Sequence, residues 1–159
     1  MMDSDADRRG TANPRASAHM VEAHGGERLQ YGGMEFAIRA SAESTAGAFS
    51  IIEEINPVDT PMHIHERHDE LFFVLEGEHV FTVGGTEYEA GPGDTIFGPR
   101  GVPHAQRRAI PRTGRILTMF SPAGFEGFFR DLAEAGRTGQ DGPQALTDIA
   151  AKYGATWVG

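Results

Sequence analysis

Apolar residues in the first two thirds of this chain come in short runs separated by glycine and proline, not at helical spacing. Met20 and Val21 open the series, Leu29 to Tyr31 stops at Gly32-Gly33, residues 34–40 follow, and residues 47–55 (GAFSIIEEI) stop at Asn56-Pro57. Runs punctuated in this way predict antiparallel strands, and Pro57 ends one because proline has no N–H to give to a sheet ladder. Residues 70–75, 80–83, 86–89 and 95–97 continue the pattern, with Gly84-Gly85 placed to turn a hairpin. The loop 98–103 then delivers His104, and residues 115–120 (RILTMF) form the last predicted strand. No helical pattern interrupts these strands, which favours a closed or sandwiched all-β architecture over βαβ units.

After Ser121-Pro122 the period changes. Phe125, Phe128, Phe129 and Leu132 fall on one helical face, with Ser121 as the expected cap, Pro122 in the first turn and Gly136 as the stop. A second short helix is predicted over 143–153, striped by Leu146, Ile149, Ala150 and Tyr153 and ended by Gly154. Stripes of this kind signify packing, here on the β domain or on a partner subunit. The first 18 residues carry charges and no hydrophobic period, so they read as a disordered arm. The expected organisation is an arm over 1–18, a β-barrel over 19–122 and a helical extension packing on it over 123–159.

Composition narrows the function. A length of 159 residues suits one domain with a sizeable core. The net charge of −9 argues against a grip on nucleic-acid phosphates. No apolar run approaches the roughly 18 residues of a membrane span, and the N-terminus has no apolar signal core, so no membrane partner is expected and the location reads as cytoplasmic. Cysteine is absent, which excludes disulfides, a thiolate nucleophile and sulfur-bound zinc; any metal must use nitrogen and oxygen donors.

Such donors are present. In HIHERHDELFFVLEG, residues 63–77, strand alternation lets His63 and His65 share a face while Ile64 points away. Glu70 shares its strand face with Phe72 and Val74, and a carboxylate in such surroundings is costly unless paired or bound to a cation. His104 supplies a third imidazole. Three imidazoles and a carboxylate suit Fe, Ni, Mn, Cu or Zn without choosing among them. One of Glu53 and Glu54 should face inward or toward a partner edge, alternation alone does not say which, and an inward Glu53 is the candidate for proton transfer. Arg67, His68 and His79 read as solvent-facing. Leu71, Phe73 and Leu75 make the strand's other face apolar too, so that face needs cover.

These residues resemble the two motifs of the cupins. The first motif is matched by His63, His65, Glu70 and Gly77, with Pro57 at its leading glycine position. The second is matched by Gly93, Pro99, Gly101 and His104, with Arg108 where the motif has asparagine, and 15 residues separate the two motifs. Looser similarity, from about Gly33 through the segment SPAGFEGFFRDL at 121–132, is to single-domain, quercetinase-like cupins. The resemblance implies a double-stranded β-helix, or jelly-roll barrel, with one or two short C-terminal helices. It also implies one divalent transition metal ion per subunit on His63, His65, Glu70 and His104, and a homodimer. The implied activity is that of a metal-dependent dioxygenase or oxygenase acting with O2 on a small aromatic or enol-bearing molecule, flavonol-like or polyketide-like. Glu70 would serve as the base that takes the substrate proton, with Phe72, Val74, Phe97, Arg108 and Glu53 around the substrate. Two rivals stand beside it: a non-redox isomerase or polyketide cyclase, and a non-catalytic small-molecule-binding cupin.

Overall fold

In a computed structural model of the chain, residue 16, residues 18–109 and residues 114–159 are described; most of the expected N-terminal arm lies outside the described residues. Strands β1 (Glu27–Tyr31) and β2 (Met34–Ala40) form a hairpin across Gly32-Gly33, whose φ values of 58° and 83° give a turn matched to the strand twist. A single helical turn, α1 (Ala42–Thr45), follows. It was not expected from the sequence, and a reciprocal pair of hydrogen bonds between Ser41 and Ser44 caps it. Then come β3 (Ser50–Ile55), β4 (His63–His65) and β5 (Asp69–Glu76). Strands β6 (His79–Val83) and β7 (Thr86–Ala90) pair across Gly84-Gly85. Strands β8 (Thr95–Gly98), β9 (His104–Arg108) and β10 (Arg115–Ser121) complete the expected series, and α2 (Glu126–Thr138), α3 (Pro143–Lys152) and β11 (Ala155–Trp157) close the chain.

The strands form two antiparallel sheets, one ordered β1-β2-β3-β10-β5-β8 and the other β11-β4-β9-β6-β7. Neighbours in each sheet are often far apart in sequence, because the chain crosses between the sheets; this is the all-β closure that the residue pattern predicts and the jelly-roll barrel with few short helices that the resemblance implies. The inner faces bury two apolar clusters. One, containing Phe36, Ile52, Phe120, Phe125 and Phe129, lies under α2; the other contains Phe72, Val74, Phe81 and Ile116.

The helical segment differs from expectation in its ends. Ser121 does not cap α2, because β10 runs on through Ser121 in register with Asp69 of β5. The helix starts at Glu126, with Phe125 at the cap position and no side-chain cap bond. It ends at Gly139 (φ 69°), not Gly136. Gly136 instead lies within the helix, where a Cβ would come within 2.7 Å of the Tyr31 ring, so its smallness serves a close approach. Gly154 does stop α3, but the chain then returns as β11 and pairs with β4. Met20 and Val21 lie in no strand.

Candidate metal centre

Strands β4 and β9 are neighbours, with His63 opposite His104, and β5 reaches them from the other sheet. The arrangement brings one donor atom from each of His63, His65, Glu70 and His104 within 4.8 Å of the others. Glu70 Oε2 lies 2.8 Å from His104 Nε2 and 3.1 Å from His65 Nε2. The rings of His63 and His104 are aimed by carbonyls, with His63 Nδ1 2.9 Å from the Pro61 oxygen and His104 Nδ1 2.9 Å from the Val102 oxygen. An Nδ1–H donated in this way turns Nε2 to the centre, where that of His104 donates to Glu70 when protonated and either ring offers a lone pair to an ion when its Nε2 is not. His65 Nδ1 has no hydrogen-bond partner. Its ring is held by packing, 4.4 Å from Phe125 and 5.5 Å from Phe120 between centroids.

The electrostatics suit a cation. Burial pushes Glu70 up, but hydrogen bonds from His104 and His65 and their charges outweigh it, leaving the carboxyl well below its ordinary range. Burial lowers His63 to about 4, which keeps the imidazole neutral as a ligand must be. Burial also opposes charge on His104, but its bond to Glu70 outweighs this and raises it. Three imidazole nitrogens and one carboxylate therefore converge on one point, buried and poor in competing cations, and this donor set fits a borderline divalent ion.

Residues 52–120, which carry all four of these side chains, match the family described as Cupin domain. This segment is a cupin domain. The chain is 31% identical over 121 residues to quercetin 2,3-dioxygenase of Bacillus subtilis (strain 168), a match covering 75% of this chain and 36% of that relative. The chain thus spans about a third of the relative's length. Among solved structures it is similar in fold to KdgF from a Halomonas species (TM-score 0.60, 19% identity, 69% of this chain and 98% of that one). An RmlC-like cupin from Shewanella frigidimarina NCIMB 400 is similar to the same degree (TM-score 0.59, 23% identity, 70% and 97%).

The cluster opens into a cavity of about 520 Å³ whose walls are mostly apolar, with Phe36, Phe72, Phe120, Phe125 and Trp157 prominent. A larger groove of about 890 Å³ lies between the β1–β2 hairpin and α2. It contains none of the cluster, and its arginines are engaged in the pairs Arg28–Glu35, Arg130–Glu27 and Arg137–Glu134.

The remaining residues singled out from the sequence separate. Phe72 lines the cavity. Val74 is buried one step away in the second apolar cluster. Phe97 points outward and is 57% exposed, because its strand pairs it with Leu71; Ile96, opposite Phe72, is the inward residue of β8. Arg108 shares alternation with His104 but does not reach the cavity, and its backbone N–H donates to Asp59. Glu53 is buried on the opposite face, where Arg115 donates two hydrogen bonds to it at 3.0 and 2.7 Å and Arg39 stands 3.6 Å away. Glu54 is the glutamate that lines the cavity, and Thr118 and Gln106 hydrogen-bond to it. Burial raises its carboxyl to about 7; Thr118 and Gln106 work against that rise and the charge of Glu70 adds to it.

Two histidines read as exposed are buried. His79 lies on β6 with Nε2 3.0 Å from the Glu76 oxygen, and His68 packs edge-on to Phe120 and Phe125. Arg67 does face solvent, donating to the Lys152 carbonyl. Gln106 and Trp157 were missed. Alternation from His104 signals the former, whereas nothing local signals the latter.

Proposed function

We propose that this cupin is a metal-dependent oxygenase acting on a small, largely apolar aromatic or enol-bearing molecule, flavonol-like or polyketide-like, with O2 as co-substrate. One divalent transition ion per subunit is held by His63, His65, Glu70 and His104. The observation that carries the reading is the convergence of four donors at the floor of an aromatic-walled cavity. The 31% identity to a quercetin 2,3-dioxygenase supports the oxidative form. The ion supplies Lewis acidity toward an enolic oxygen and, when redox-active, a path for electrons to O2.

This chain's own residues do the rest. Phe72, Phe120 and Phe125 hold a flat substrate and exclude water from the reacting carbon. Glu70 Oε2, already the acceptor for two imidazoles, is the nearest oxygen to take the enol or phenol proton. A non-redox isomerase or cyclase is the second reading, favoured by Glu54, a further carboxyl in the same cavity able to move protons near neutrality. The outward apolar face carrying Leu71, Phe73 and Phe97 supports a homodimer.

Elemental analysis of the purified cupin should give close to one divalent ion per chain, and His65→Ala should lose most of it; full occupancy in that variant refutes the ligand set. Turnover of a panel of flavonols, diketones and polyketide intermediates should stop under anaerobic conditions. Continued anaerobic conversion would favour the isomerase or cyclase. Tight binding with unchanged release would favour a binding protein.

A further inference from the structure

The cavity wall carries a second polar feature, apart from the four-residue cluster, and it is short of hydrogen-bond donors. Glu54 and Gln106 both line the cavity and are only 5% and 6% exposed. A carboxylate offers two oxygens with about four lone-pair positions. Glu54 receives two donors, Thr118 Oγ at 2.7 Å on Oε1 and Gln106 Nε2 at 3.0 Å on Oε2. No lysine or arginine ion-pairs with it among the described residues, because Arg39 of β2 and Arg115 of β10 are engaged by Glu53 on the other face of β3.

The Gln106 amide is equally one-sided. Because the carboxylate accepts only from its NH2 group, Gln106 Oε1 is turned away from Glu54, and that oxygen is buried with no partner. Three acceptor oxygens are thus served by one hydroxyl and one amide group, and buried acceptors left short in this way are uncommon. Proteins tolerate such a deficit where a ligand relieves it, as sites built to hydrogen-bond a substrate hydroxyl do.

We propose that Glu54 and Gln106 form a hydroxyl-recognition point in the cavity, taking an O–H donor of the substrate at a position distinct from the oxygen directed to His63, His65, Glu70 and His104. The substrate class sharpens accordingly to an apolar, ring-sized molecule with two oxygen functions, one for the metal centre and one hydroxyl for this pair. The inference deepens the oxygenase reading and shares its cavity. Its test reads binding instead of turnover, so the two can fail separately.

Trp157, the single tryptophan, lies in the cavity wall and reports occupancy by fluorescence. The probes are 2-naphthol and 2-methylnaphthalene, equal in shape and differing in the donor, titrated into metal-loaded protein above about pH 7, where Glu54 is charged. Wild type should bind the naphthol about tenfold or more tightly than the methyl compound, the range of one hydrogen bond to a charged acceptor. Gln106→Met and Glu54→Gln should each reduce that ratio severalfold while metal content and methylnaphthalene affinity hold. Glu54→Gln should also keep or raise Tm, because the new amide supplies a donor toward which the Gln106 amide can turn its Oε1; a carboxylate with a purely structural role would lose stability on the same change.

A ratio that survives both substitutions, or failure of either probe to quench Trp157 in wild type, overturns the proposal. Preserved hydroxyl preference in a protein that consumes no O2 with any of the panel would overturn the oxygenase reading and leave this one standing.

Discussion

Glu54 shows how far one residue step matters. In the segment SIIEEI each strand face carries isoleucine and one glutamate, so alternation alone cannot say which carboxylate is inside. The choice falls to partners distant in sequence: Thr118 and Gln106 await Glu54, whereas Arg115 and Arg39 await Glu53. Phe97 fails for the same reason, since TIFG has apolar residues on both faces and only the pairing with β5 decides between Ile96 and Phe97. The four metal-ligand candidates were legible because their types and spacing are unusual in themselves.

A pH prediction belongs at this scale. Glu54 is raised from 4.5 to about 7, so the folded state holds a proton there that the unfolded chain releases. Its contribution is therefore intact below about pH 4.5 and is lost as pH rises through about 7, a change of at most about 3 kcal/mol. Glu54→Gln should flatten urea stability between those pH values relative to wild type, and an unchanged slope would count against the raised carboxyl.

Among the elements, β11 was invisible in the sequence: Ala155–Trp157 is too short to show a period, and it lies beyond the glycine that ends the helical stripe. Its role depends on β4, the three-residue strand that bears two histidines, which has β9 on one side and β11 on the other. His63 pairs with Trp157 and His65 with Ala155. Truncation after Gly154 should weaken metal affinity roughly 10- to 100-fold, the size of effect that orienting partners have, as read by chelator competition. Undiminished affinity would show that β9 alone positions β4.

The α2 stripe was legible, and its ends were not, because Ser121 is claimed by the β10 ladder before it can cap. Phe129 lies tilted against Phe36, 4.8 Å between centroids, and is buried, so Phe129→Ala should cost about 3–5 kcal/mol in denaturant unfolding. A loss below about 1 kcal/mol would mean that α2 contributes little to the core.

For the molecule as a whole, the two-sheet barrel was readable from glycine-punctuated strands and two motifs, since both report backbone turns that any such closure needs. What covers the outer face of the larger sheet was not, because the strand pattern marks a face as apolar without naming its cover. Leu71, Phe73 and Phe97 lie together there, with Phe73 37% and Phe97 57% exposed. A charged pair of substitutions, Phe73→Asp with Phe97→Asp, should halve the sedimenting mass and leave metal content intact. A wild-type protein that sediments as a monomer would remove the dimer from the proposal.

The aiming of His63 and His104 by carbonyls two residues back has a consequence for metal supply. The orienting contacts belong to the local chain, so the rings present the same directions to every ion that arrives. Selection among iron, nickel, manganese, copper and zinc then rests less on this shell than on which ion the cell offers when the barrel closes. The same chain produced in media of different metal content should therefore carry different ions on an unaltered set of ligands.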